Sequence, residues 1–353
     1  MNWPELAERP LPWASSLNWT ENGQHSVVFT RLSTYRNFSG FPFTVSAPPN
    51  ICAAIADKAL HLLTRQGGFT IQRLSDCPSY ALRLLRERHV LPSRFVPFPG
   101  KKEFKYVAFR PQGNAWALVN EVEHLTFGQI FPGRFSELEF NSAYSVPQGE
   151  SPWCELGSMG FLASYPGRIG PGLEVDILVH LPGLVLSRRL GHARNALSAF
   201  GIGFFPLGSL GGGEADAGLF LLRSRGGGGK SALQVYQDLL KNVQPIMELE
   251  ASLQRQCLDK HHKRLEVRLR QSLQHLTEAS VLSYPEVLAM SSYLRLGAYL
   301  ALINPQILGI VEELRIKAGS GHLGVSLGHN MSKEEEDKQR GNVVRLAMEM
   351  YRS

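Results

Sequence analysis

The sequence predicts an α+β domain over residues 25–250, preceded by a leader at 1–24 and followed by a small all-helical domain at 255–353. Short β-rich runs follow one another in hairpin-like order with amphipathic helical stretches between them, the pattern of strands and helices sharing one layered core. From residue 231 onward the apolar period becomes helical and charge gathers on one face. With 43% hydrophobic and 19% charged residues, the composition is that of a chain that folds.

Residues 1 to 25 are polar and rich in Pro and Trp, a leader expected to pack onto the body without entering its core. "HSVVFTRL" reads as a strand and "PNICAAIADKALHLLTRQ" as a helix, because Ile51, Ala54, Ile55, Ala59, Leu60 and Leu63 recur at helical spacing. "YALRLLRERHVL" is a second short helix. "KYVAFRP" and "AWALVNEVEH" are β-rich runs on either side of "QGN", whose Gly suits a hairpin turn. After the Pro/Gly/Ser-rich stretch 132–160, "MGFLASYP" and "LEVDILVHLP" are strand-like and "GLVLSRRLGHARNALSAFG" is helical up to Gly201. "IGFFPLGSL" and "AGLFLLRS" supply two more strands. The stretch from Ser231 is a helix interrupted by Pro245, and three further helical segments complete the tail.

Composition narrows function as well. The net charge is +6, but Lys and Arg are dispersed, and "RLEVRLRQ" lacks the interleaved aromatics of a nucleic-acid surface, so a solvated mixed surface is expected. Cys52, Cys77, Cys154 and Cys257 form no C-x-x-C pair and meet no His at zinc-ligand spacing, which points to reduced thiols and no metal site. "MNWPELAERP" has neither the basic nor the apolar region of a signal peptide. "LGAYLALINPQILGIV" is too short for a membrane span and carries Asn304 and Pro305. A soluble, cytoplasmic protein with no membrane and no nucleic-acid partner is the expectation.

"RSRGGGGKS" (223–231) follows a strand and opens a helix, the order of a phosphate-binding loop. Such a loop needs its first Gly five positions ahead of the Gly-Lys-Ser, so that successive N–H groups curl around phosphate. That position is Ser224, which favours a plain strand-to-helix connection.

Several stretches together resemble the bacterial protein arginine kinases of the ATP:guanidino phosphotransferase family, which also contains creatine and arginine kinases. "VVFTRLSTYRNFSGFPF" (27–43) is similar to the family's V-V-L-S-S-R-x-R-L-A-R-N…F-P-F, and "ALVNEVEHLTF" (117–127) to V-N-E-E-D-H-L-R-I. "GFLASYPGRIGPGLEVDILVHLPGLVLSRRL" (160–190) is similar to G-Y-L-T-x-C-P-T-N-x-G-T-G-L-R-A-S-V-x-x-H-L-P-A-L-V-L, and "LFLLRSRGGGGKSALQVYQDL" to the stretch that ends the phosphotransferase domain. In the tail, "SSYLRLGAYLALI" and "KEEEDKQRGNVVR" have counterparts in the same order. The resemblance implies a curved antiparallel sheet flanked by helices, a helical C-terminal domain, ATP with Mg as cofactor, and a protein partner that carries arginine or phosphoarginine.

It also implies which residues do the work, and here the sequence departs from the pattern. Phosphoryl transfer to a guanidinium needs cations on the nucleotide phosphates and a carboxylate to orient and deprotonate the attacking nitrogen. The family's phosphate arginines fall on Arg31, which is retained, and on Ser33, Thr126, Glu174 and Phe205. Its catalytic carboxylate falls on Val122, flanked by Glu121 and Glu123, and its active-site Cys on Tyr165. If residues 120–124 lie on a strand, Glu121 and Glu123 share the face that Val122 does not. Arg31 is open to two readings, phosphate contact or ion pair. His124 and His180 are retained and read either as catalytic or as hydrogen-bonded core residues. The family's phosphoarginine-binding R-D-x-x-R-A appears as "EDKQRG", keeping Asp337 and Arg340 with Glu336 in place of the first Arg.

Three functions follow as expectations. The first is a homologue that keeps the fold and has lost the catalytic constellation, serving as a binding or regulatory pseudokinase. The second is an active ATP-dependent protein arginine kinase with rearranged groups, Glu121 or Glu214 as base and Arg168 or Arg223 on the phosphates. The third is a scaffold that dimerises through its helical C-terminal domain.

Overall fold

A computed structural model of the chain describes residues 1–14, 26–92, 102–110, 115–134, 139–141, 153–207, 218–224 and 226–352. Strand β1 (Val27–Arg36) is buried along nearly its whole length and is the axis of the sheet. It pairs on one side with β5 (Leu125–Pro132) and on the other with β8 (Leu173–His180). Beyond β5 lie β4 (Ala115–Val119), β3 (Tyr106–Phe109) and β2 (Thr70–Arg73), and beyond β8 lie β10 (Leu219–Arg223) and β9 (Gly203–Pro206). Every pairing in this eight-stranded sheet is antiparallel. A separate two-stranded ribbon joins β6 (Glu155–Leu156) to β7 (Gly160–Phe161), so "MGFLASYP" makes only a short edge piece where a full strand was expected.

Strand alternation divides the sheet into two working faces. On one face, helix α1 (Trp3–Glu8), helix α3 (Ser79–Glu87) and the C-terminal helices bury Phe29, Val107, Phe109, Trp116, Leu118, Ile130, Leu178 and Leu219. On the other, helix α2 (Pro49–Gln66) covers Ala108, Ala117, Val119 and Leu125. Beside it, helices α4 (Pro182–Leu186), α5 (Leu190–Ala199) and the first half of α6 (Ala232–Glu278) cover Leu32, Val175, Ile177, Val179, Phe220 and Leu222.

The structure departs from the sequence expectation at three further elements. Leu6, Leu11 and Trp13 of the leader are core residues, and the Trp13 indole donates to Glu312 at 3.1 Å, so the leader is part of the fold's interior. The expected helix 183–201 is two helices, broken where Arg188 takes a positive φ of 58°. The 47-residue α6 runs through Pro245 without interruption and across the 250–255 boundary, because Val243 and Ile246 are anchored in the core on either side; its break in helical geometry comes at His261. The "QGN" turn lies outside the described residues, although the β3–β4 pairing it would join is present.

Four helices follow α6: α7 (Tyr284–Tyr299), α8 (Ile307–Lys317), α9 (Ser320–Leu327) and α10 (Lys333–Arg352). The sequence pattern anticipated three of them. Helix α9, "SGHLGVSL", escapes it because its glycines serve close packing rather than a helical stripe: a methyl at Gly321 would stand 2.1 Å from the Leu84 nitrogen on α3. The Glu87 carboxylate of α3 accepts from the Gly321 and His322 amides at 2.7 and 2.9 Å, capping α9. Gly321→Ala is expected to lower unfolding free energy by about 1–3 kcal/mol through overpacking against rigid backbone, measured by urea denaturation.

Candidate functional site

Register creates the site. Arg31 of β1 stands opposite Asp176 of β8, which stands opposite Arg223 of β10, and Ser33 faces Glu174 two residues further along. Asp176 is buried and accepts from Arg31 Nε at 3.1 Å and from Arg31 Nη2, then from Arg223 Nε at 2.7 Å and Nη2 at 3.1 Å. The remaining Arg31 amino group donates to the His89 carbonyl at 2.9 Å. Arg223 also reaches Glu174 at 3.3 Å. Arg168, from the turn Pro166–Arg168, places its guanidinium 3.4 Å from Glu123, 3.9 Å from Glu174 and 4.5 Å above the Tyr35 ring.

These neighbours set the charge states. Burial would raise the Asp176 carboxyl, but Arg31 and Arg223 outweigh it and hold it below the ordinary value. Glu174 goes the other way, pushed up first by burial and then by the Asp176 carboxylate. Burial and the nearby Glu174 raise the Tyr35 phenol well above its usual range.

Residues 120–124 are not a strand but a tight connection between β4 and β5, with Asn120 at φ 54°. Strand alternation therefore does not govern Glu121, Val122 and Glu123. Asn120 fixes the bend by donating to the Cys52 and Phe104 carbonyls at 2.8 and 3.1 Å. Glu123 points inward, fully buried, while Glu121 is half-buried, its carboxyl raised by burial and its carbonyl accepting from Lys105 at 3.2 Å. His124 spends both ring nitrogens on backbone: Nδ1 accepts from the Phe38 amide and Nε2 faces the Pro42 carbonyl, each at 2.9 Å. Burial lowers its pKa, and neither nitrogen is free for proton transfer. His180 is likewise buried, with Nε2 2.7 Å from Ser292 Oγ.

The substituted positions also find places. Ser33 and Thr126 are buried in the sheet. Val122 is half-buried, and its carbonyl accepts from Ser164 Oγ at 3.0 Å. Tyr165 sits at the mouth, half exposed, with its ring 5.8 Å from the Arg168 guanidinium, and the Phe205 ring lies 5.6 Å from that of Arg223. Glu214 lies outside the described residues.

Two sequence expectations change. Arg31 was the one phosphate cation of five to survive, yet three guanidinia gather here, because Arg168 and Arg223 arrive from other positions. The sequence did not single out Asp176, Tyr35 or the inward turn of Glu123; the detectable signal was the E-V-D alternation at 174–176, which puts two acids on one face beside Arg31. Away from the sheet, Arg340 is buried and donates to the Ala318 and Leu282 carbonyls at 2.8 and 2.9 Å and to Asp337, with Glu336 at 3.6 Å. Its fork joins α10 to the α6–α7 connection and to the end of α8. The glycine-rich stretch ends in an N-cap: Ser231 and Gln234 form a capping box on α6, and Lys230 pairs with Asp238 at 2.6 Å.

Two family profiles match the chain in succession. "ATP:guanido phosphotransferase, C-terminal catalytic domain" matches residues 52–253, more than half of the sequence. The chain belongs to the ATP:guanido phosphotransferase family. "Protein-arginine kinase McsB C-terminal domain" matches residues 262–353. The protein-arginine kinase of Halalkalibacterium halodurans is 24% identical over 98% of this chain and 97% of its own length, and that of an Exiguobacterium species 25% identical over 92% of each. Among solved structures, lombricine kinase shares the fold with a TM-score of 0.53 at 16% identity, over 69% of this chain and 72% of its own. A duplicated taurocyamine kinase from Schistosoma mansoni does so at 0.55 and 16%, over 70% of this chain and 35% of its own.

Members of this family use ATP, and the residues gathered on this face do not fit a triphosphate. Among the described residues the three guanidinia are matched by the three carboxylates Glu123, Glu174 and Asp176, so phosphate oxygens entering the row meet as many acids as cations. Among the described residues no group of three or more His, Cys, Asp or Glu is placed to hold a metal ion, and no helix is long and apolar enough to cross a membrane.

Removing Asp176 strands two guanidinia against the sheet, and Asp176→Ala is expected to cost about 3–5 kcal/mol of stability, read from urea unfolding. Glu174 behaves oppositely. A carboxyl raised in the folded state destabilises only where it is charged, so its cost is absent below the ordinary value of 4.5 and grows as pH rises toward the folded value. Glu174→Gln is expected to gain stability relative to wild type as pH rises through that window, measured by unfolding across a pH series.

Proposed function

We propose that this member of the ATP:guanido phosphotransferase family retains the kinase fold as a binding or regulatory subunit and has lost phosphoryl transfer. The observation that carries this reading is the Arg31–Asp176–Arg223 row, in which the retained phosphate arginine is spent on an internal carboxylate. A positioned base contributes roughly 10²–10⁴-fold and a phosphate-clamping arginine roughly 10³–10⁵-fold; with Val122 at the base position and the clamp neutralised, family-type turnover is lost. The relatives' name, protein-arginine kinase, supports a protein partner presenting arginine or phosphoarginine, and a cytoplasmic location is part of the same proposal. A homodimer through the C-terminal helices belongs to the same proposal: Leu346 and Met350, one turn apart on α10, are both strongly exposed.

An active protein arginine kinase with rearranged groups is the second reading. It is favoured by the convergence of Arg31, Arg168 and Arg223 with Glu121 and Glu123 around one site. Phosphoryl transfer from Mg-ATP to an arginine-rich protein, followed as acid-labile phosphate, separates the two. We expect no transfer and no rise in melting temperature at millimolar Mg-ATP, because a ligand that binds only the folded state must raise it. Transfer that disappears in Glu123→Gln or Arg223→Ala establishes the second reading instead.

A further inference from the structure

The solvent side of α6 carries a run of positive charge. On either side of the irregular backbone at His261 the helix presents Arg255, Lys260, Lys263, Arg264, Arg268 and Arg270, all exposed, against the two acids Asp259 and Glu266. Among the described residues none of these six cations has a carboxylate partner, and Glu266 meets His262 instead, at 3.6 Å. Other cations of the tail differ: Lys317 and Lys338 each pair with a carboxylate four residues away, at 3.2 and 2.7 Å. Arg264 and Arg268 stand one turn apart, and like charges at that spacing destabilise a helix. An acidic partner relieves that repulsion.

The buried side of the helix fixes which residues face outward. Leu265, Leu269 and Leu276 are held among the tail helices, so Lys263, Val267, Arg270 and Gln274, spaced four, three and four apart, form the row directly opposite. Val267 lies in the middle of that row and is 51% exposed. At 1.5 Å per residue the row is about 16 Å long, three turns of a partner helix. We propose that this face of α6 is a docking surface for an acidic amphipathic helix of a protein partner, with Val267 against the partner's apolar stripe and the surrounding Lys and Arg against its carboxylates. Isolated surface ion pairs contribute little, so an apolar anchor set among several cations is what such a surface needs. Val267 also favours a polypeptide over nucleic acid: a phosphate backbone makes no use of it, and no Phe, Tyr or Trp occurs from 255 to 275 on which bases could stack. The surface lies on the tail side of α6, and the proposal holds whether or not the sheet face transfers phosphate.

The test is fluorescence anisotropy with the full chain, without nucleotide, using a labelled synthetic peptide that carries Leu on one helical face and Glu on its flanks. A scrambled peptide of the same composition and a short DNA duplex are titrated beside it. Saturable binding of the patterned peptide is expected at about micromolar concentration. Affinity is expected to be about ten-fold lower for the scrambled peptide and for Lys263→Glu/Arg270→Glu, and about three-fold lower for Val267→Ser. Absence of saturable binding, equal affinity for the two peptides, tighter binding of the duplex, or unaltered affinity in either folded variant overturns the proposal. If the charge-reversed variant does not fold, the milder Lys263→Gln/Arg270→Gln is read in the same way, weakened binding supporting the surface and unaltered binding overturning it.

Discussion

Asp176 is almost without solvent access and shares its two oxygens between Arg31 of β1 and Arg223 of β10. An ionised carboxylate at that depth is tolerated only because both guanidinia lie against it, and each guanidinium is in turn spent on it. The rest of the face follows from this pairing. Burial and then the Asp176 carboxylate raise the Glu174 carboxyl, and with two arginines neutralised only a part share of Arg223 and a distant Arg168 oppose that rise. The sheet thus carries a charge-neutral lattice where the family resemblance implies a positive platform.

Arginine plays the same internal role elsewhere. Glu312 is fully buried on α8 between Arg295 of α7 and Arg315, and also receives the Trp13 indole of the leader. Arg315 meets the His89 ring at 3.1 Å, while the His89 carbonyl accepts from Arg31. Burial, with Arg315 and Arg31 beside it, keeps that imidazole neutral and able to accept. A continuous chain of polar contacts therefore runs from the sheet face through His89 into the helical tail, and residues 1–14 are tied into it.

Much of this was legible in sequence because it depends on local period. The strands around Arg31, Glu174 and Arg223 and the helices of the tail all show their spacing, and the family motifs fall in order along them. The irregular segments were not legible. Residues 120–124 read as the end of a strand, since "AWALVNEVEH" is β-rich throughout; only the side chain of Asn120, reaching across to Cys52 and Phe104, dictates the bend that turns Glu123 inward. Helix α9 was hidden because Gly321 and Gly324 are chosen for contact with α3. Arg168 and Arg223 were visible as candidate cations, but their spending on Glu123, Glu174 and Asp176 is a tertiary fact, set by the register of three strands and one turn that are distant in sequence.

Helix α6 contributes to two of the three hydrophobic clusters among the described residues. Its first half plants Tyr236, Leu239, Val243 and Ile246 beneath the sheet, and its second half plants Leu265, Leu269 and Leu276 among the tail helices. One helix thus enters both compartments, with its regular backbone interrupted between them at His261. Severing the polypeptide between the two profile-matched segments would leave each half of the helix with its own compartment, and what it would part is the core that the tail helices share with Phe29, Leu178 and Leu219 of the sheet.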